Sequence, residues 1–169
     1  MTSIALPDLK EFVLSQLGPP PRRVLEIGCG EGELARALAE AGYEVVAIDP
    51  EAPEGKIFRR TTIEAFEDPE PFDAAVASTS LHHVHDLGGA LDKLRGLLRG
   101  PLILNEIAWD RLEPMTPEWE AEHEGLHGYG VMRSELDPRF EERFFEWRAY
   151  PVDDKEVPGL GFRYVGMPR

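Results

Sequence analysis

The feature that most constrains this chain is a short apolar segment that runs into a glycine-rich turn. Arg23–Ile27 has the character of a buried strand, Gly28, Gly30 and Gly32 follow it, and Glu31–Ala41 is rich in helix-forming Ala, Leu and Glu. Glycine lets a backbone turn sharply and approach a ligand, and the free N–H groups of the next helix suit an anionic group. The pattern predicts the first strand–turn–helix unit of an α/β sheet, with a ligand at the turn. The alternative is tight packing of helix against strand without a ligand.

The same alternation continues along the chain. Further short apolar runs predict strands at Glu44–Ile48, Lys56–Arg59, Phe72–Ala77 and Leu102–Ile107. Helical spacing predicts helices at Pro7–Leu17 and Leu87–Leu98, and a short helix or turn at Thr61–Phe66. We therefore expect an α/β fold, a three-layer sandwich around a mostly parallel central sheet.

The pattern changes after Trp109. The sequence predicts polar helical pieces at Pro117–Leu126 and Ser134–Arg143 around the loop His127–Gly130, then closing strands at Phe144–Tyr150 and Phe162–Met167. The acidic stretch Val152–Gly161 between these strands is too short for a parallel crossover. The last pair should therefore form an antiparallel edge, which gives a sheet of about seven strands. We expect a single domain over residues 1–169, in which residues 110–143 cover the substrate.

The turn also indicates which kind of nucleoside derivative it binds. A dinucleotide fingerprint needs glycine three residues after Gly30, where this chain has Glu33, and the chain has no Gly-Lys-Ser or Gly-Lys-Thr of a phosphate-binding loop. Glu26, just before the turn, is awkward beside a pyrophosphate and natural beside a cation. Asp49, at the tip of the second strand, can accept hydrogen bonds from two adjacent ribose hydroxyls, although it can also be a turn residue before Pro50.

At these residues the chain resembles the class I, Rossmann-like S-adenosylmethionine-dependent methyltransferases. Val24–Gly32 is similar to their first motif and Val45–Asp49 to their second. Phe72–Ser78 followed by Leu81–Val84 is similar to the fourth motif, and Gly161–Gly166 to the closing strand of the fold.

The resemblance implies S-adenosylmethionine as the cofactor and S-adenosylhomocysteine as the product. It implies that Glu26 and the glycine backbone hold the methionine end, that Asp49 holds the ribose, and that adenine packs at Thr62–Glu64. The family often has Asp where this chain has Thr62. The cofactor-binding residues that it implies are Glu26, Gly28, Cys29, Gly30, Gly32, Asp49, Pro50, Thr62, Ile63, Glu64 and Ser78.

Histidines crowd the end of the fourth strand, where the methyl group is expected. His82 and His83 are the candidate catalytic residues, because an imidazole there can remove a proton from the group that is methylated. The alternative is that one of them packs beneath the cofactor, and His85 is expected to be solvated. His123 and His127 are expected at the surface, without forming a metal site.

The remaining candidate side chains have plainer interpretations. Cys29, the only cysteine, is expected to line the cofactor and not to act as a nucleophile. Glu106 and Asp110 follow the fifth strand and can orient a substrate, but we expect solvated loop acids. We expect four residues either to wall a pocket for an apolar group or to fill a small core: Trp109, Trp119, Tyr129 and Met132.

Charge limits the partners. The net charge is −14, with 18 basic and 32 acidic residues, and such a surface repels nucleic acid and anionic membranes. No apolar run approaches the ~20 residues of a spanning helix. Met1–Asp8 lacks the features of a leader sequence, so a cytoplasmic location is expected.

These observations favour methyl transfer to a small-molecule O, N or C nucleophile by direct displacement. Because the sulfonium is already an activated leaving group, the protein mainly aligns the reactants, and a general base is optional. The short chain and Thr62 leave a second hypothesis open, a catalytically inactive sensor or partner subunit that binds the cofactor. A nicotinamide-dependent oxidoreductase is the third, and the glycine spacing disfavours it.

Overall fold

We describe a computed structural model of the chain over residues 6–169. The expectation about a leader sequence rests on Met1–Asp8, of which residues 1–5 lie outside the described part. Across residues 6–169, no helix is long and apolar enough to cross a membrane. In chain order the elements are α1 (Leu6–Gln16), β1 (Arg23–Ile27), α2 (Glu33–Glu40), β2 (Glu44–Asp49), β3 (Phe58–Arg60), β4 (Ala74–Ser78), a 3-10 turn (Leu81–His83), α3 (Leu87–Leu97), β5 (Leu102–Ile107), a second 3-10 turn (Trp109–Arg111), α4 (Pro117–Glu122), α5 (Tyr129–Leu136), β6 (Phe140–Val152) and β7 (Lys155–Pro168).

The strands form one seven-stranded sheet in the order β3-β2-β1-β4-β5-β7-β6. The first five strands are parallel, and β7 is antiparallel to both β5 and β6. This confirms the predicted fold class and the antiparallel edge. Because Ile27 is in register with Ile48 on one side and with Ala77 on the other, the carboxyl ends of β1, β2 and β4 lie side by side.

Each face of the sheet packs against its own helices. Alternate strand residues such as Leu25, Ala75 and Leu104 join the core beneath α3 and α5. Their neighbours, such as Val24 and Val76, join the core beneath α1 and α2. The three layers follow directly from this alternation, since successive side chains of a strand point to opposite faces.

The C-terminal hairpin departs from the prediction. The polar helical piece expected at Ser134–Arg143 is wrong, because α5 already ends at Leu136 and β6 begins at Phe140. The expected connection Val152–Gly161 is also wrong for most of its length, because only Asp153 and Asp154 separate β6 from β7. Their φ angles are 47° at Asp153 and 64° at Asp154. A two-residue turn with both residues in the left-handed region matches the twist of a hairpin. Pairing with β7 outweighs the helix propensity of the Glu and Arg residues in this segment.

Candidate functional site

The three glycines of the turn all have positive φ, with values of 71° at Gly28, 54° at Gly30 and 87° at Gly32. A Cβ at Gly28 would collide with Ser80, and a Cβ at Gly32 with the ring of Phe58. Two of the glycines are therefore needed for packing as well as for conformation. A Cβ at Gly30 would meet nothing within 4 Å, so the turn leaves open space at this exposed position.

Asp49 connects this turn to the end of β2. The N–H groups of Gly28 and Cys29 donate to the carbonyl of Ile48, at 2.9 and 3.0 Å. The N–H of Gly30 donates to Oδ2 of Asp49 at 3.1 Å. The Asp49 carboxylate is therefore fixed beside the turn, and it is partly exposed where it lines a cavity.

Glu26 is the most unusual group near the turn. Only 4% of the residue is exposed, and Oε2 is buried without a hydrogen-bond partner in the described part of the chain. Burial, with a further contribution from the negative charge of Asp49, raises the pKa of the Glu26 carboxyl to about 8. An unsatisfied buried carboxylate is costly. A positively charged donor placed beside it would remove that cost.

A cavity of about 400 Å³ opens beside the turn, within the range of small-ligand sites. Of the residues predicted from the sequence, its wall contains Gly28, Asp49, Pro50, Thr62, Ile63, Glu64 and His83. Lining residues that sequence reasoning missed or left aside are Ile27, Ile48, Thr61, Thr79, Ser80, Val84 and His85. Four of these, Thr79, Ser80, Val84 and His85, belong to the turn between β4 and α3, whose path depends on packing and not on a local sequence signal.

The other predicted cofactor residues lie around the cavity and outside its wall. Glu26 and Cys29 are buried behind the turn, and burial, with the charges of Glu26 and Asp49, raises the pKa of the Cys29 thiol to about 12. A thiol in this state is a poor nucleophile, in agreement with its expected passive role. The hydroxyl of Ser78 accepts a hydrogen bond from Asn105 Nδ2 at 3.2 Å. Thr62, which is part of the cavity wall, accepts through Oγ1 from the N–H of Ala65, also at 3.2 Å.

His82 and His83 have different environments. His82 is buried, and its Nδ1 lies 2.7 Å from Oε2 of Glu106. His83 is solvent-accessible and lines the cavity. Partial burial and the neighbouring His82 lower the pKa of His83, Glu106 acts in the opposite direction, and His123 lowers it further. A neutral imidazole therefore faces the cavity near neutral pH. His85, expected to be solvated, is exposed but also lines the cavity.

Glu106 is not the solvated loop acid that the sequence suggested. Its side chain is fully buried, and Oε1 accepts hydrogen bonds from the N–H groups of Ser80 and Leu81, both at 2.8 Å. Oε2 contacts His82 and also accepts from the N–H of Ile107 at 3.2 Å. The carboxylate thus organises the turn after β4. Asp110 is exposed, but its Oδ1 accepts from the N–H of Tyr129 at the start of α5.

The segment after β5 is tied to the same turn by His127. The N–H of His127 donates to the carbonyl of His82 at 3.0 Å, and its Nε2 lies 2.6 Å from the carbonyl of Val84. Nδ1 of His123 lies 2.7 Å from the carbonyl of Trp119, and its ring stacks on Trp109. Neither histidine is a free surface imidazole.

The four residues considered for a pocket wall or a small core divide between two places. Met132 is buried in the core beneath α3 and α5, and Tyr129 packs against Phe162 at its margin. The indole N–H of Trp109 donates to the carbonyl of His127 at 3.0 Å, and that of Trp119 to the carbonyl of Trp109 at 2.9 Å. Both tryptophans therefore brace the segment that follows β5.

Comparison with known proteins gives a family match over most of the chain. A methyltransferase domain family matches residues 4–148. A curated relative, the ubiquinone biosynthesis O-methyltransferase of Rhodopseudomonas palustris (strain HaA2), is 33% identical over 90 residues, which are 46% of this chain and 36% of the relative. The chain spans about a third to a half of the length of the first curated relatives that it matches.

Solved structures share the fold. A methyltransferase from Methanosarcina mazei, described as S-adenosylmethionine-dependent, superimposes with a TM-score of 0.73 at 17% identity, over 93% of this chain and 96% of that one. The 1,6-didemethyltoxoflavin-N1-methyltransferase of Burkholderia thailandensis, solved with bound 1,6-didemethyltoxoflavin and S-adenosylhomocysteine, also gives a TM-score of 0.73. Its identity is 21%, over 98% of this chain and 78% of that one. At these identities the likeness concerns the fold.

Proposed function

This chain belongs to the class I S-adenosylmethionine-dependent methyltransferase family, and on that premise we propose that it binds the cofactor beside the glycine turn and methylates a small molecule. The observation that carries the proposal is the buried Oε2 of Glu26, which has no hydrogen-bond partner among residues 6–169 and whose carboxyl is influenced by the charge of Asp49. A cofactor with an α-ammonium group supplies the donor and the positive charge that this carboxylate lacks. A dinucleotide would bring a pyrophosphate, which supplies no positive charge to Glu26 and which the nearby Asp49 carboxylate repels.

The cavity wall and the residues around it have separate roles in this proposal. Glu26 and the open backbone at Gly30 hold the methionine end, supported by Gly28, Gly32 and Cys29. Asp49 accepts from the ribose hydroxyls, as its partly exposed position at the end of β2 allows. The adenine lies against Pro50 and the segment Thr62-Ile63-Glu64, which line the same cavity, and Ser78 supports the end of β4.

The cofactor supplies a methyl group already activated by the sulfonium. The protein then has to bind the acceptor in line, exclude water and accept a proton where the acceptor carries one. His83 is the candidate for that proton, because its imidazole lines the cavity and its pKa is lowered. His82 is committed to Glu106 and is better placed to orient its neighbour.

The acceptor class is proposed to be a small molecule with a nucleophilic O, N or C atom. The names of the similar proteins include a ubiquinone biosynthesis O-methyltransferase and a 1,6-didemethyltoxoflavin-N1-methyltransferase. We propose that residues 110–143 cover the acceptor, since His127 attaches this segment to the turn that carries His83.

Isothermal titration calorimetry tests the cofactor. S-adenosylmethionine and S-adenosylhomocysteine should each bind with one site per chain, and NAD should not; binding of NAD alone would overturn the proposal. A panel of phenols, carboxylic acids, amines and activated carbon acids then separates an enzyme from a cofactor-binding sensor. Formation of S-adenosylhomocysteine with any acceptor establishes the enzyme, whereas binding without turnover over a broad panel favours the sensor.

A further inference from the structure

The turn between β4 and α3 is held from three directions. The hydroxyl of Ser80 donates to the carbonyl of Ile27 at the end of β1, at 2.9 Å. Glu106, at the end of β5, accepts from the N–H groups of Ser80 and Leu81. His127 contacts the carbonyl groups of His82 and Val84. The residues on both sides of His83 are therefore fixed.

His83 lies between the fixed residues of this turn and, like His85 further along the same turn, lines the cavity. His82 is turned away from it and paired with Glu106, and the two histidine rings lie 4.2 Å apart between centroids. The pair is buried, with 6% of the His82 side chain and none of the Glu106 side chain exposed. A buried carboxylate costs free energy unless every oxygen is satisfied, and here four donors surround it. Glu106 is therefore tied to the turn after β4 through specific hydrogen bonds.

We propose that Glu106 is a positioning residue of the active site, which acts through His82 and the backbone of Ser80 and Leu81 to hold His83 toward the acceptor. This inference rests on the proposed function for the role of His83. Glu106 does not line the cavity, so it acts through its partners. His127 holds the opposite side of the same turn. We call Glu106, His82 and His127, together with the turn that they hold, the clamp.

The clamp has an electrostatic consequence for His83. The groups that influence its protonation are His82, Glu106 and His123. The Glu106 charge favours protonation of His83, and His82 opposes it. Removing Glu106 should therefore lower the pKa of His83, and removing His82 should raise it.

NMR on the unliganded protein tests the proposal through E106Q. Glutamine keeps one carbonyl oxygen but presents an amide NH₂ to His82, so the His82 proton should move from Nδ1 to Nε2, visible in its imidazole nitrogen shifts. The pKa of His83 should fall. With an acceptor from the panel, the kcat of E106Q should fall by up to about 10²-fold, because His83 is no longer held in position. Its affinity for S-adenosylhomocysteine should stay unchanged.

D73N is the matched control. Asp73 lies just before β4, at the opposite end of that strand, and also accepts from a backbone N–H, that of Arg23 at 2.8 Å, and from Arg99. This variant should lose stability without moving the His83 pKa or kcat. A folded E106Q protein with an unchanged His83 pKa and unchanged kcat would overturn the proposal.

H82Q provides a second test of the positioning role if E106Q does not fold. Its His83 pKa should rise and its kcat should fall; no change in either contradicts the clamp. The NMR readouts need no cofactor, so they decide the positioning role even if calorimetry finds no S-adenosylhomocysteine binding. A chain that turns over but shows no response in these variants keeps its proposed function and loses only this inference.

Discussion

At the scale of single residues, Asp49 is the side chain that joins the glycine turn to the end of β2. Asp49→Ala should weaken S-adenosylmethionine binding by about 1–3 kcal/mol, because charge-assisted hydrogen bonds to the ribose are lost. Asp49→Asn is the matched control, since it retains an acceptor for the N–H of Gly30 and should lose less. Calorimetry on both variants measures the difference. Unchanged affinity in a folded Asp49→Ala protein would mean that the ribose is held elsewhere.

Glu26 connects the site to the stability of the fold. Its pKa is about 8 in the folded chain, against 4.5 for an ordinary glutamate. The folded state prefers the protonated form, so the contribution of Glu26 to stability is fully present below pH 4.5 and is lost as the pH rises toward about 8. The free energy of unfolding should therefore fall with a slope of up to about 1.4 kcal/mol per pH unit across that window.

Glu26→Gln should remove this slope, and chemical denaturation at a series of pH values measures it. The variant should gain stability relative to the wild type as the pH rises, while its affinity for S-adenosylmethionine falls. Glu40→Gln, on an exposed position of α2, serves as the control and should keep the wild-type slope. Equal slopes in the wild type and Glu26→Gln would show that the carboxyl is not protonated in the folded protein.

At the scale of elements, the quality of the prediction depended on how local the signal was. The unit β1–α2–β2 could be predicted, because an apolar run, glycines and an acidic strand tip lie within one short segment. The limits of β6 could not be predicted, since they are set by pairing with β7, which a local sequence pattern does not reveal.

The role of Glu106 was missed for a similar reason. Its burial depends on the turn after β4 folding over the end of β5, a contact between segments about 25 residues apart. One signal was nevertheless present. All six residues of β5 are buried, and Asn105 and Glu106 interrupt an otherwise apolar strand. Polar groups in such a strand must be satisfied internally, which marks them as organisers of neighbouring structure.

The β6–β7 hairpin allows a test at the same scale. Asp154 has φ of 64°, in the left-handed region that glycine adopts without a Cβ penalty. Asp154→Gly should stabilise the chain by up to about 1 kcal/mol. Glu156→Gly, two residues further along in β7, should destabilise it, because glycine weakens a strand interior. Thermal unfolding of both variants measures this, and a destabilised Asp154→Gly protein would contradict the turn geometry.

At the scale of the whole molecule, the strand order determines what the site can bind. It places the carboxyl ends of β1, β2 and β4 together, and the acidic residues in the cavity wall, among the described residues, are Asp49 and Glu64. With Glu26 buried behind the turn, this end of the sheet is acidic. Such a cavity suits a cationic nucleoside and disfavours polyphosphates, in keeping with the net charge of −14.

The central claim is that Glu26 receives the ammonium group of the cofactor. Calorimetry with S-adenosylhomocysteine and with 5′-methylthioadenosine, which lacks the amino-acid end, tests it directly in the wild type and in Glu26→Gln. The wild type should bind S-adenosylhomocysteine far more tightly, and in Glu26→Gln this preference should narrow by about tenfold or more, since a charge-assisted hydrogen bond is lost. If the wild type and Glu26→Gln prefer S-adenosylhomocysteine over 5′-methylthioadenosine to the same degree, Glu26 does not bind the ammonium group.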